Sequence, residues 1–334
     1  MLFSCEKNSN VLEEEDILAI DSSASDNSSV IIVDTLIIVA PVSNPVVLLS
    51  GNSITTSVNA IVIDTSDNIW VGSDSGLAKF DGTSWWYLSD SEGNIYNAHV
   101  QALKIDNEGV IWGGTKSGAF KFDGANLTNY KVENGLVSND VRCIWTDKTK
   151  NVVWFGTSNN GISMFDGTDF TRDTVNIPKS MGNGHIHTIC GDIENHVYFG
   201  SCISGLSKYD GTNWEHKLNN LGSFVECSSV APDSSIWFGT GYGIFQNSAG
   251  NWLNYTVDEG LPSNFVYTIK VSSDETVWIA TEFGASSFDG ISFKIYKDQN
   301  NQNYGAINGF DFDSKGNVWA GGFQGLFKVV DKND

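Results

Sequence analysis

The residues best suited to bind a ligand occupy one repeated position, directly after the first apolar residue of a β-like segment. All seven are polar or amphipathic: Asn59, Gln101, Arg142, His187, Glu226, Tyr267 and Asn308. The residue before each of them is Val or Ile. Unlike hydrogen-bonding groups at one structural position favour recognition of a polar, asymmetric ligand. The alternative is a set of solvated groups around a water-filled opening.

His187 and Glu226 are the candidates for catalysis. A His beside a carboxylate can act as a general base or hold a metal. His185 lies two residues before His187, on the same face if the segment is extended. The sequence contains no Gly-x-Ser-x-Gly motif, no His-Glu-x-x-His motif and no glycine loop that cradles phosphate. The sequence therefore favours a non-catalytic role and predicts no cofactor and no bound metal, with an enzyme as the alternative.

Three aromatic residues add to the candidate binding surface. Tyr242, Phe283 and Phe323 lie in predicted turns that open on the same side as the seven polar residues. Aromatic rings there would offer flat apolar surfaces to a sugar or a peptide. Packing within the turns is the alternative interpretation.

An internal repeat provides the elements that position these residues. An apolar-aromatic pair followed by small residues recurs seven times, with the aromatic at Trp70, Trp112, Trp154, Tyr198, Trp237, Trp278 and Trp319. The copies follow one another at about 40–50 residues, the length of a four-stranded propeller blade. We therefore predict an all-β, seven-bladed β-propeller over residues 46–331. The repeated aromatics are interpreted as structural residues buried between blades.

Each copy predicts four short strands, and an Asp-Gly pair such as Asp81-Gly82 marks the hairpin before the fourth. The last copy stops at Asp334 without a fourth strand, whereas Val46–Leu49 precedes the first copy. This arrangement predicts that the N-terminal strand completes the last blade and closes the ring.

The repeats resemble the two-component regulator propeller repeat. The similarity rests on an acidic turn followed by Asn, apolar and Trp residues, as in 313–319, and on two related inter-blade segments, 133–139 and 258–264. The resemblance implies a sensing or binding role outside the cytoplasm, often for glycans. No kinase or immunoglobulin-like segment is recognised in this sequence, so signalling itself is not implied. The repeats also resemble the streptogramin-lyase propeller, whose metal-assisted His and Glu chemistry has no motif here that matches residue by residue.

Charge and the N-terminal segment bear on partners and location. The 334-residue chain has 40 acidic and 19 basic side chains, a net charge of −21. This charge argues against nucleic acid as a binding partner and against electrostatic binding to an anionic bilayer.

Residues 1–5 resemble the end of a lipoprotein signal, so we expect Cys5 to be lipidated. Residues 6–45 are interpreted as an acidic tether with an apolar β segment at 30–40. These features predict a monomer anchored to the cell envelope, outside the cytoplasm, that binds a glycan, a peptide or a partner protein.

Overall fold

The computed structural model describes residues 30–33, 36–39, 43–51, 57–90, 98–147, 149–171, 185–216, 224–297 and 302–329. Cys5 and residues 6–29, where we predicted a lipid anchor and a tether, lie outside them. The strands form seven blades, and the innermost strand of each blade contacts those of both neighbours, including last with first. The predicted all-β, seven-bladed propeller is confirmed. The described residues contain no helix with the length and apolar character that crossing a membrane requires.

The segment before the ring and blades 1 and 2 contribute these strands: β1 (Val30–Val33), β2 (Leu36–Val39), β3 (Ser43–Gly51), β4 (Val58–Ile63), β5 (Ile69–Ser73), β6 (Gly76–Phe80), β7 (Trp85–Asp90), β8 (Val100–Ile105), β9 (Ile111–Thr115), β10 (Gly118–Phe122) and β11 (Asn126–Tyr130). Blades 3 and 4 follow with β12 (Val141–Asp147), β13 (Val152–Thr157), β14 (Ile162–Phe165), β15 (Phe170–Thr171), β16 (Ile186–Gly191), β17 (Val197–Ser201), β18 (Gly205–Tyr209) and β19 (Trp214–His216). Blades 5 to 7 contain β20 (Val225–Val230), β21 (Ile236–Thr240), β22 (Gly243–Ser248), β23 (Asn251–Tyr255), β24 (Val266–Val271), β25 (Val277–Thr281), β26 (Gly284–Phe288), β27 (Phe293–Ile295), β28 (Ile307–Phe312), β29 (Val318–Gly322) and β30 (Gly325–Val329). Short 3-10 turns at Val132–Asn134 and Val257–Glu259 connect blades 2 and 3 and blades 5 and 6.

Ring closure differs from the prediction. The N-terminal strand β3 does not complete the last blade: it pairs with β7 of blade 1, and its first residues pair with β11 of blade 2. Both partners are outermost strands, so β3 covers backbone groups that would otherwise remain unpaired. Within the described residues blade 7 has the three strands β28–β30.

Contacts between β28 and β4 close the ring instead. The Asn308 side-chain amide donates to the Val58 carbonyl oxygen at 2.8 Å, and the Ile63 backbone N–H donates to Asp311 Oδ2 at 2.8 Å. A side chain on Gly309 would come within 3.1 Å of Ile61, so the two strands approach closely. Polar and packing contacts therefore replace a shared sheet at this junction.

The repeated aromatics are structural, as predicted: all except the partly exposed Trp319 are buried. An Asp six residues earlier accepts the indole N–H in three blades, with Asp64–Trp70 at 2.9 Å and Asp106–Trp112 at 2.8 Å. In blade 3 the corresponding Asp147 lies seven residues before Trp154, and the buried Trp154 Nε1 has no partner among the described residues. One additional residue in this turn accounts for the loss of that hydrogen bond.

The inter-blade segments that carry the family resemblance have a clear physical basis. Asn139 Oδ1 accepts from the Val132 backbone N–H at 2.9 Å, and Asn264 Oδ1 accepts from that of Val257 at 3.0 Å. Gly260 adopts a φ of 102°, which glycine reaches without strain. The motif therefore fixes a 3-10 turn between blades.

In several blades the core pairs a large side chain with a small one across strands two and three, whereas blade 5 pairs Phe238 with Phe245. Phe155 faces Ser163 and Phe199 faces Ser207. Blade 2 reverses the order: Gly113 on β9 faces Phe120 on β10, and a Cβ atom at 113 would lie 2.0 Å from the Phe120 ring. Each of these pairs therefore places one large ring in the blade.

We predict that the aspartates in the turns between strands one and two make the stability of the protein sensitive to acid. Burial by itself would raise the pKa of Asp64, but hydrogen bonds from Trp70, Asn68 and Ser66 together lower it. A lowered folded-state pKa stabilises the protein above the unfolded-state pKa of about 4, and this contribution is lost as the pH falls through the folded-state value. We expect Asp64→Asn to reduce the change in unfolding free energy between neutral and acidic pH, measured by urea denaturation. Asp169→Asn, at an exposed turn carboxylate, is the control; equal pH profiles for wild type and Asp64→Asn would contradict the prediction.

Candidate functional site

The seven predicted binding residues occupy one register position. In every blade the pairing between strands one and two shifts at that residue, leaving it as a β-bulge: Asn59, Gln101, Arg142, His187, Glu226, Tyr267 and Asn308. A bulge redirects the side chain of the extra residue. Because the innermost strands form a closed ring, these seven side chains surround one end of the central channel, which we call the channel face.

Three of the seven hold neighbouring blades together. The side-chain amides of Asn59, Gln101 and Asn308 each donate to a backbone carbonyl of the next blade, at 3.1, 3.2 and 2.8 Å. Each acceptor is the apolar residue directly before the next bulge, Val100, Val141 or Val58. These amides therefore have a structural role that the sequence did not predict.

In blades 3 to 5 the bulge residue is Arg142, His187 or Glu226. Arg142 Nε donates to Ser158 Oγ within its own blade. His187 Nδ1 lies 2.5 Å from Glu226 Oε2 on the next blade, and the two side chains are only 13% and 19% exposed. The His185 ring centroid is 6.3 Å from that of His187. Burial, and then the charges of Arg142 and His187, lower the pKa of His185.

An arc of aromatic rings continues from His187 to blade 6. Ring centroids are separated by 6.3 Å between His187 and Phe224, 5.8 Å between Phe224 and Phe265, and 5.3 Å between Phe265 and Tyr267. Burial, together with the Glu282 carboxylate, raises the pKa of Tyr267.

Sequence reasoning missed Phe224 and Phe265, which directly precede β20 and β24. Their position also varies between blades, as Ser57, His99, Asp140, His185, Phe224, Phe265 and Ala306. This variation is the signal that would have found them.

The turns between strands two and three open on the same face. Their backbone N–H groups donate to the carbonyls that precede strand one, as Ser158 does to Asp140 at 2.9 Å and Gly241 does to Phe224 at 3.2 Å. In four consecutive blades, 4 to 7, the turn exposes a large apolar side chain: Ile203 (42%), Tyr242 (58%), Phe283 (46%) and Phe323 (65%). Blades 1 to 3 carry polar turn residues there, including Asp74, Lys116 and Asn159. The turns of the channel face are therefore polar in blades 1 to 3 and apolar in blades 4 to 7.

One group of side chains has the composition of a metal site but lies away from the channel face. Asp192, Glu194 and His196 place one ligand atom each within 4.8 Å of one another, in the turn between β16 and β17. Asp192 also accepts from the His196 backbone N–H at 2.9 Å and from the Tyr198 hydroxyl at 3.1 Å. Its carboxylate thus performs the structural role that aspartate has in blades 1, 2 and 7.

Comparison with known proteins agrees with this architecture. Residues 260–283, from the blade 5–6 connection to the turn after β25, match the family model described as two component regulator propeller. These residues are therefore similar to this propeller repeat. This match includes Gly260 and Asn264 of the inter-blade motif described above. No match was found among curated proteins.

Solved structures of other proteins have the same fold as this chain. The extracellular domain of a proposed one-component system from B. thetaiotaomicron is 19% identical, with a TM-score of 0.64 over 85% of this chain and 40% of that one. The extracellular domain of a proposed hybrid two-component system from the same organism is 18% identical, with a TM-score of 0.56 over 79% and 48%. This chain therefore spans less than half the length of either.

A third similar structure is an enzyme. Catalytically inactive virginiamycin B lyase from Staphylococcus aureus, determined with quinupristin, is 13% identical, with a TM-score of 0.67 over 85% of this chain and 99% of that one. At these identities the likeness concerns the fold alone.

Proposed function

We propose that this propeller is a non-catalytic binding or sensing module that recognises a glycan or a peptide at its channel face. The observation that carries the proposal is the combination of charged groups and exposed aromatic rings on that face. Arg142, His187 and Glu226 provide charge and hydrogen bonds beside the exposed rings of Tyr242, Phe283 and Phe323. Apolar surfaces with a few convergent polar groups are typical of ligand sites.

We place this module outside the cytoplasm, held to the cell envelope by a lipid on Cys5 through the segment that precedes β3. The extracellular domains from B. thetaiotaomicron, which share its fold, support this location. Mass spectrometry of membrane-fraction protein from the native host tests it, and an unmodified Cys5 would refute the anchor.

A combined glycan and peptide array with the purified full chain tests the binding role. We expect the strongest array ligand to bind at least about 100-fold more weakly to Arg142→Met/Glu226→Gln/Tyr267→Phe, since the changes remove a guanidinium, a negative charge and a hydroxyl, each worth about 1–3 kcal/mol. These substitutions keep side-chain volume, so the melting temperature should change little. Lys315→Met/Glu108→Gln, at exposed turns on the opposite face, is the matched control. Equal affinity of wild type and the triple variant would refute the channel-face site.

A lyase or hydrolase is the second candidate function. The 2.5 Å contact between His187 and Glu226 is the observation that favours it, because a carboxylate can orient a His that acts as a general base. Incubation with quinupristin, with and without added divalent cation, tests for lyase activity. Turnover that disappears in His187→Ala would support this candidate over the binding module.

A protein-interaction scaffold is the third reading, in which acidic edges matter more than the channel face. The array separates this reading from the first: binding of native partner protein by both wild type and the triple variant, without any array ligand, would favour a scaffold.

A further inference from the structure

The channel contains a lysine without a matching carboxylate. Lys104 lies on innermost strand β8, three residues beyond Gln101, or about 10 Å deeper than the channel face. Its side chain is partly buried, and none of the described carboxylates forms an ion pair with it.

The surroundings of Lys104 place its ammonium group near the channel axis. The groups that act on it electrostatically are Lys270 on blade 6, Asp311 on blade 7, Cys190 on blade 4 and Cys143 on blade 3. A side chain from blade 2 comes close to all four of these blades only when it extends toward the centre of the ring.

The charge near the axis is not balanced. Asp311 is the one carboxylate in this group. It already forms an ion pair with Lys270, with 3.1 Å between Lys270 Nζ and Asp311 Oδ1. Its other oxygen accepts from the Ile63 backbone N–H at 2.8 Å. Burial raises the pKa of each of the Cys143 and Cys190 thiols to about 12, so neither supplies negative charge at neutral pH. Lys270 and Asp311 occupy the equivalent position in blades 6 and 7, and the residues there in blades 1, 3, 4 and 5 are uncharged: Val62, Trp145, Cys190 and Ser229.

We infer that Lys104 forms a binding site for a single small anionic group inside the channel, with Lys270 as the second positive charge. A carboxylate or an inorganic oxyanion would accept a charge-assisted hydrogen bond from the Lys104 ammonium. The anion would come either free from solution or as the acidic group of a ligand that enters at the channel face.

The lowered pKa of Lys104 agrees with the lack of a balancing negative charge beside its ammonium group. Burial, and then the charge of Lys270, lower the pKa of Lys104 to about 8. An anion that binds the protonated form must raise that pKa, and its own affinity must fall as the pH rises through the pKa.

Calorimetric titration with sodium acetate tests the site, because acetate keeps its charge across the relevant pH range. At pH 7 we expect saturable binding that is about tenfold or more weaker in Lys104→Met, the loss expected for one charge-assisted hydrogen bond. Lys315→Met, which removes an exposed lysine, should bind as wild type does. Binding that is absent from wild type, or equal in Lys104→Met, would overturn the inference.

A second measurement uses the unmodified protein and does not depend on the folding of a variant. NMR of lysine Cε signals should show the pKa of Lys104 rising when acetate is added, and an unchanged pKa would contradict the site. Inorganic phosphate in a parallel titration distinguishes the two sources of anion: tighter binding of phosphate favours a free oxyanion, and tighter binding of acetate favours a ligand carboxylate. The inference stands apart from the proposed function, since the channel-face triple variant retains Lys104.

Discussion

Replacing Phe120 with Ser should lower the free energy of unfolding by about 3–5 kcal/mol. The Phe120 ring is completely buried and fills the space that Gly113 leaves on the facing strand. The same chemical change at Phe323, which is 65% exposed, should alter stability little. Urea denaturation of both variants measures the difference.

Gly113→Phe/Phe120→Ser should recover most of that loss. Alone, Gly113→Phe places a second ring at a position where even an added Cβ atom would lie 2.0 Å from Phe120, so overpacking should destabilise the blade. Together, the two changes recreate the pairing of Phe155 with Ser163 in blade 3. A double-mutant cycle should therefore show strong coupling. Additive effects of the two substitutions would mean that the rings do not compete for one space.

Tyr242→Ser/Phe283→Ser/Phe323→Ser should weaken binding of the strongest array ligand by at least about 100-fold, since exposed aromatic anchors commonly contribute more than 1–2 kcal/mol each. The three side chains lie in turns of consecutive blades and are between 46% and 65% exposed. Their removal should leave the melting temperature nearly unchanged. Surface plasmon resonance with the immobilised array ligand measures the affinity.

A matched triple variant separates the channel face from general surface hydrophobicity. Leu253→Ser, Ile291→Ser and Ile295→Ser remove three exposed apolar side chains from or beside the outer strands of blades 5 and 6. We expect this variant to bind as wild type does. A similar loss in both triple variants would show that the rings do not form a specific site.

Spacing alone was sufficient to predict the number of blades, because each blade needs one aromatic at the same place on its second strand. Ring closure was predicted wrongly for a physical reason. The pattern in Val46–Leu49 identifies a strand but not its partner, and the outer edges of blades 1 and 2 offered free backbone groups as the last blade did.

The candidate site was predictable in position but not in detail. Variation between repeats identified the seven bulge residues, because positions that serve the fold keep their residue type. It could not show that Asn59, Gln101 and Asn308 donate to the next blade, since those acceptors are backbone carbonyls. Phe224 and Phe265 occupy a position that also varies between blades, but their proximity to each other depends on how two blades pack together.

The exchange of large and small side chains between blades limits how tandem copies can recombine. A crossover between the second and third strands would join Phe155 to Phe120, or Gly113 to Ser163, giving an overfilled blade or an empty one. A crossover in the connections between blades keeps each matched pair intact. Gene duplication and unequal exchange should therefore pass on whole blades as units of inheritance, while the bulge residues diverge from copy to copy.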